Sequence, residues 1–322
     1  MEAAPRTLSV TLALSLLAGC PSGDEAPSPR ATATAPEATA TALPSVSVSA
    51  PAPSPPPVGP CGEDMVLVEG DYCPLVRHRC LRHTKEYDRE QERRERLRAQ
   101  GKPLPFSRVS ERCLEYEQPA QCLSKTRRRM RFCLDRYEWP GEVGEKPRLL
   151  VSWTEAKALC EAKGKRLCTG DEFNFACEGE ALLPYSYGFL RDAKRCNIDK
   201  PYVAPERQML REPECLEDAR CRDALAAIDQ RAPIGSHPDC GSPFGAIDLN
   251  GNVNEWVERP GEREPYRSGL KGGWWGPARS RCRPMVTVHD ENYVGYEVGF
   301  RCCRDLSAHK SGDSQKSSGT SE

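Results

Sequence analysis

Residues 271–282 read KGGWWGPARSRC, two glycines and two tryptophans ahead of Cys282. A cysteine thiolate is both a nucleophile and a soft metal ligand, so Cys282 is the candidate catalytic side chain. The same residue could be one half of a disulfide. Trp274 and Trp275 lie on this glycine-supported segment, where aromatic faces either stack on a ligand in a groove or pack into a core. A second stretch, DLNGNVNEW at residues 248–256, sets Asp248 and Glu255 on either side of backbone carbonyls. Hard oxygen donors of this kind suit Ca²⁺. Asn250-Gly251 inside the stretch also reads as a plain turn signal.

What could hold such groups is set by the rest of the chain. Its 322 residues bound the count at one or two domains. Forty-six basic and 47 acidic side chains are interspersed, giving a formal net charge of -1. That balance leaves no basic footprint and argues against a nucleic-acid partner. The first 20 residues carry an apolar run from Leu8 to Leu17, too short to span a bilayer, followed by small residues and Cys20. They read as an export signal. Leu17-Ala18-Gly19-Cys20 resembles the lipobox of bacterial lipoproteins, which implies lipidation of Cys20 and anchoring of the exported chain to the bacterial cell envelope. Residues 21–60, rich in Pro, Ala, Ser and Thr, cannot repay the entropy of folding and read as a disordered tether. Residues 305–322 read as a disordered tail.

Seventeen cysteines less Cys20 leave sixteen, an even number in an exported chain, so eight disulfides are possible. There is no CxxC pair, and the five histidines are scattered, which argues against a structural zinc site. Two helix starts share one design. Ser152 and Glu155 form a capping box ahead of Ala156, Leu159 and Cys160, with Gly164 as the stop. Thr169 and Glu172 repeat it ahead of Phe173, Ala176 and Cys177, with Gly179 as the stop. Cys160 and Cys177 therefore point at the core. Segments such as MVLVEG and YEVGFRCC read as strands among many turn residues, which predicts an irregular α+β domain. Trp153 and Trp256 read as core.

MVLVEG, FCLDRYEWP, VSWTEAKALCEAKGKRLCTGDEFNFACEG, CNID, FGAIDLNGNVNEWV, KGGWW and GFRC follow in an order and spacing that resemble the formylglycine-generating enzyme, or sulfatase-modifying factor, family. The resemblance covers residues 61–304 and implies a disulfide-rich variant of the C-type-lectin-like fold with little regular secondary structure. Residues 81–125, with a charged segment flanked by cysteines, have no counterpart and read as a solvated insertion or a partner-binding element.

Catalytic members of that family hold Cu(I) between two thiolates five residues apart. The resemblance places the second on Cys282 and the first on Pro277, which has no ligand atom. Trp274 stands where a serine is usual and Asn254 where a tryptophan is usual. These departures argue against copper. The family's disulfide cysteines map onto Cys160 with Cys302 and onto Cys177, whose usual partner position is Thr287. Cys282 is then the favoured partner for Cys177, and Cys303, facing away from Cys302, is free to reach Cys168. Calcium ligands map onto Asp248, the Gly251 and Val253 carbonyls, and Glu255. A second site would use Asn197 and the Ile198 carbonyl, its other ligands falling near Asp223 and Asp229. Two functions follow: a non-catalytic, lipid-anchored domain binding a protein or small-molecule ligand, or an exported oxidase with Cys282 as its surviving thiolate. A third relative, the iron-dependent sulfoxide synthases, needs a histidine-bearing helical domain that this sequence lacks.

Overall fold

The computed structural model describes residues 59–107, 109–205 and 213–306. Cys20, the export signal, the tether up to residue 58 and the tail from residue 307 lie outside the described residues. Strand β1 (Met65–Tyr72) turns Val66, Val68 and Tyr72 into a core, the two-residue period of a strand with one packed face. A short β2 (Val76–Arg77) and β3 (Cys80–His83) lead to helix α1 (Lys85–Ala99). Strands β4 (Cys113–Tyr116), β5 (Gln121–Cys122) and β6 (Arg128–Asp135) follow, then helix α2 (Trp153–Ala162), β7 (Arg166–Leu167), α3 (Gly170–Glu178) and α4 (Ala219–Ile228). Strands β8 (Asn254–Glu258), β9 (Ser268–Lys271), β10 (Val298–Phe300) and β11 (Cys302–Asp305) complete the chain. One sheet has the order β1-β6-β11-β7 and a second the order β10-β8-β9; β2 pairs with β5 and β3 with β4.

The helix starts behave differently from one another. Thr169 and Glu172 form the reciprocal box, with the Thr169 N–H donating to Glu172 Oε2 at 2.8 Å and the Glu172 N–H to Thr169 Oγ1 at 3.2 Å. Ser152 caps α2 through the Glu155 N–H at 3.1 Å, but Glu155's carboxylate pairs with Arg148 and the second half of the box is not made. YEVGFRCC, expected as a single strand, is split at Arg301: β10 runs parallel to β8 in one sheet and β11 antiparallel to β6 in the other. At the break the buried Arg301 side chain donates to Glu255 of β8 and to the Asp135 carbonyl at the end of β6. Strand β11 also continues through Asp305, past the expected domain end at 304, where Asp305 pairs with Phe132 of β6 in the ladder and its carboxylate with Arg166 at 2.5 Å.

All sixteen cysteines after Cys20 are paired, in the eight bonds Cys61–Cys133, Cys73–Cys122, Cys80–Cys113, Cys160–Cys302, Cys168–Cys303, Cys177–Cys282, Cys196–Cys240 and Cys215–Cys221. Such density marks an exported or extracellular chain, and no described helix is long and apolar enough to cross a membrane. Adjacent Cys302 and Cys303 reach opposite sides of β11, one towards α2 and the other towards the segment before α3. Trp153 and Trp256 are core, each indole N–H donating to a backbone carbonyl across the domain. Within residues 81–125 helix α1 buries none of its side chains, whereas Cys113 and Tyr116 after it are buried against Tyr185. Two ion pairs, Arg281 with Glu111 at 3.1 Å and Arg112 with Asp199 at 3.2 Å, seat that arm on the rest of the domain.

Candidate functional site

The loop after β9 carries Pro277 and Cys282. Cys282 is fully buried and joined to Cys177 of α3, with Cα atoms 5.5 Å apart. Beneath it lies Lys271, the last residue of β9. Its Nζ donates to the Cys282 carbonyl at 2.6 Å, the Arg283 carbonyl at 2.9 Å and Asn174 Oδ1 at 2.6 Å. All three N–H bonds are thus used, and the amine ties the Cys282 loop to α3. Burial, with Arg283 nearby, pulls the Lys271 pKa down to about 7. A disulfide sulfur is neither nucleophile nor thiolate donor, so this loop as folded offers copper no ligand pair.

Trp275 is buried in a core with Leu149, Leu150 and Val253, whereas Trp274 is half-buried. The Trp274 ring meets Trp275 edge-on at 5.3 Å, Tyr296 at 5.9 Å and Tyr202 at 6.4 Å. Beside Trp274 opens a groove of about 220 Å³, lined among others by Ser110, Asn254, Arg279, Val286 and His289. Asn254, in place of an expected indole, helps to leave that space.

Leading into β8, the DLNGNVNEW segment is held in left-handed backbone at Asp248 (φ 62°), Gly251 (φ 89°) and Asn252 (φ 53°). Gly251 is required by close approach as well: a Cβ there would sit 2.5 Å from the Asn197 carbonyl oxygen. Glu255 is fully buried and both its oxygens accept from Arg301, at 2.7 Å each. Glu138, also buried, accepts from the Val253 N–H at 3.1 Å and from Asn252 Nδ2 at 2.6 Å. Asp248 is buried too, and its Oδ1 has no hydrogen-bond partner. Burial lifts the Asp248 carboxyl to about 7 against the pull of Arg301, with Glu255 adding to the rise. Burial, then Asp248 and Glu255, push Glu138 well above the carboxylate range.

Three buried carboxylates therefore face one guanidinium, and an orphaned Oδ1 is where a hard cation would be satisfied. Asp248 and Glu255 are oxygen donors of the kind Ca²⁺ takes, although both Glu255 oxygens already accept from Arg301. Among the described residues no three His, Cys, Asp or Glu side chains converge on one point, so any cation here depends on the carbonyls of Gly251 and Val253. At the second expected site, Asn197 Nδ2 donates to the Gln230 carbonyl at 2.9 Å and to Asn252 Oδ1 at 3.0 Å, beside buried Ile198. Of the acidic residues expected nearby, Asp229 pairs with Lys146 and Arg231, and Asp223 is exposed on α4. Glu138, Lys271 and Arg301 escaped the sequence reading, although each lies inside a quoted motif: RYEWP, KGGWW and GFRC. Burial of a charged residue is the signal, and a motif by itself does not report burial.

A family model of the sulfatase-modifying factor enzyme 1-like domain matches residues 116–306. The inactive C-alpha-formylglycine-generating enzyme 2 of Bos taurus is 26% identical over 168 residues, 49% of this chain and 50% of that protein. Its Mus musculus counterpart is 26% identical over 170 residues, 49% of each chain. The chain thus spans about half the length of the curated relatives it matches. Among solved structures, PvdO from Pseudomonas aeruginosa superposes with a TM-score of 0.42 at 17% identity, over 75% of this chain and 94% of that one. CarF gives 0.43 at 16% identity, over 76% and 98%. With the irregular α+β fold, its eight disulfides and the family match over more than half of its length, the chain belongs to the sulfatase-modifying factor, or formylglycine-generating enzyme, family of C-type-lectin-like domains.

Proposed function

We propose that this protein is a non-catalytic member of its family, anchored to the bacterial cell envelope by a lipid on Cys20, which binds a protein or small-molecule ligand in the groove beside Trp274. One observation carries the reading. Cys282 is locked to Cys177 in the core, and Pro277 stands at the position five residues ahead of it, where a thiolate is required. Cu(I) held by a lone thiolate would be bound weakly even if the disulfide were reduced. Both curated relatives reported above are named as inactive, which agrees with this reading. The sequence LAGC supports the lipid anchor, and the disulfide density supports export. Calcium, held by Asp248, the Gly251 and Val253 carbonyls and Glu255, brings the positive charge that the three buried carboxylates lack.

The test is mass spectrometry of a sulfatase-type cysteine peptide incubated with copper-loaded protein under reducing conditions, beside a competent family member. The expected outcome is no conversion of the thiol to an aldehyde. Copper-dependent turnover that disappears in Cys282→Ser would make the protein an oxidase.

A further inference from the structure

We propose that the face formed by β2 and β5 docks on an anionic phospholipid bilayer, with Leu75 and Leu123 entering the headgroup layer and Arg77, Lys125 and Arg127 meeting its charge. This rests on the lipid anchor proposed above, because a domain tied to Cys20 stays within reach of a membrane. Register is the first argument. Val76 lies opposite Cys122 and Arg77 opposite Gln121 in the antiparallel pair, and the Leu123 N–H donates to the Leu75 carbonyl at 2.8 Å. Side chains directly opposite each other, or two residues apart along a strand, share a face. Leu75, Leu123 and Arg77 therefore stand together, and all three line a shallow hollow of about 390 Å³. The Cys73–Cys122 disulfide and the bond from the Leu75 N–H to Ser124 Oγ at 2.9 Å hold that register. Leu75 is 58% exposed and Leu123 48%. Single exposed leucines are ordinary, but two side by side on a fixed face form an apolar patch.

Charge is the second. Residues 73–82 and 118–131 carry eight Lys and Arg side chains and no Asp or Glu. Some of these are neutralised: Arg79 pairs with Glu117 at 3.1 Å, Arg128 with Asp171 at 2.8 Å and Arg129 with Glu69 at 2.8 Å. Arg281 and Arg283, which also line the hollow, pair with Glu111 and Glu178. Arg77 instead donates to Gln121, and Arg127 Nη1 donates to the backbone carbonyls of Asp71 and Glu180 at 3.0 and 3.3 Å. The carboxylates of those two acids are engaged elsewhere: Asp71 faces Arg129 at 3.8 Å, and Glu180 Oε1 accepts from the Asp71 N–H at 2.7 Å. Among the described residues no ion pair joins a carboxylate to Arg77, Lys125 or Arg127, and all three are exposed. Each such cation near an anionic membrane raises partitioning about fivefold.

The kind of surface is the third. No Phe, Tyr or Trp lines the hollow. Protein contacts centre on aromatic side chains and shed lysine, whereas aliphatic side chains ringed by Lys and Arg suit the boundary between headgroups and acyl chains. Reach agrees with this. The described chain enters at Cys61, bonded to Cys133, and the β1–β6 ladder carries the patch to its far end at Tyr72 and Arg128, on the order of 25 Å away. The roughly forty residues between Cys20 and Gly59, as a flexible chain, span on the order of 35 Å.

The experiment is hydrogen exchange of the full chain, as isolated from cells, in nanodiscs of phosphatidylglycerol or of phosphatidylcholine. Peptides covering residues 73–79 and 121–127 are expected to exchange at least about fivefold more slowly in the anionic discs. Arg77→Glu with Lys125→Glu should remove that difference, and Leu75→Ser with Leu123→Ser should shrink it. Arg98→Glu with Lys102→Glu, the same charge change on the exposed arm, should leave it intact. Unchanged protection of β1 and β6 shows in the same data that each variant is folded. Equal exchange in the two lipids, or a difference that survives both replacements on the face, would overturn the proposal. Soluble polyglutamate slowing these segments where phosphatidylglycerol does not would assign the face to an acidic protein and overturn the bilayer. Intact mass reports acylation of Cys20 separately. An unacylated chain still protected by phosphatidylglycerol would lose the anchor and keep the docking face; an acylated chain without protection would do the reverse.

Discussion

The Cys282 loop, after β9, and the wholly buried Asp248 loop, before β8, treat reactive side chains in opposite ways. In the first, the thiol is consumed in a disulfide with Cys177 and the Lys271 amine in three hydrogen bonds. In the second, Glu138, Asp248 and Glu255 share a single guanidinium, and Asp248 Oδ1 is left without a partner. The contrast teaches that one fold can lock a buried thiol by covalent cross-linking while retaining a buried carboxylate whose demand a proton or a cation meets.

The strongest way to break this contrast is at Arg301. Removing it leaves Glu255 as an unpaired buried charge beside two other carboxylates. Arg301→Met is expected to cost about 3–5 kcal/mol in denaturant unfolding. Pairing it with Glu255→Gln should recover part of that loss; full stability of the single variant would mean that the cluster is already neutral.

Next in size is the Cys177–Cys282 bond, which closes a loop of 105 residues. The double replacement Cys177→Ala and Cys282→Ala is expected to lower stability by about 2–5 kcal/mol. Thiol labelling of the denatured, non-reduced protein should find no free Cys282. A labelled Cys282 in oxidised protein would return that loop to the side of chemistry.

The smallest effects belong to Asp248, and they sharpen the comparison. Calcium at 100 times its dissociation constant should stabilise the domain by about 2.7 kcal/mol, a gain removed by chelation and by Asp248→Ala. With chelator present the sign follows from the raised carboxyl. Its folded value of about 7 lies above the ordinary aspartate value of 3.8, so the folded state holds more protons between these values. Asp248's unfavourable contribution is complete above pH 7 and is relieved as pH falls towards 4. Asp248→Asn should therefore raise the melting temperature most at pH 8, less at pH 5, and little near pH 4. A pH-independent effect would show that Asp248 ionises freely in the fold.

The sequence alone determined what depends on neighbours along the chain and on counting. The capping residues Ser152 and Thr169, the glycine at 251, the missing ligand atom at Pro277 and the even number of cysteines after Cys20 are all local or arithmetical properties. Only the tertiary structure decided which charges are buried together. Glu138 meets Asn252 across 114 residues, Glu255 meets Arg301 across 46, and Arg281 meets Glu111 across 170. It also decided that Arg301 would divide an apparently continuous strand between two sheets, and that the arm after α1 would wall a groove. The reason is physical: the free energy of a charge depends on the solvent it loses and the partners it gains, and both are set by segments that the chain brings together only on folding.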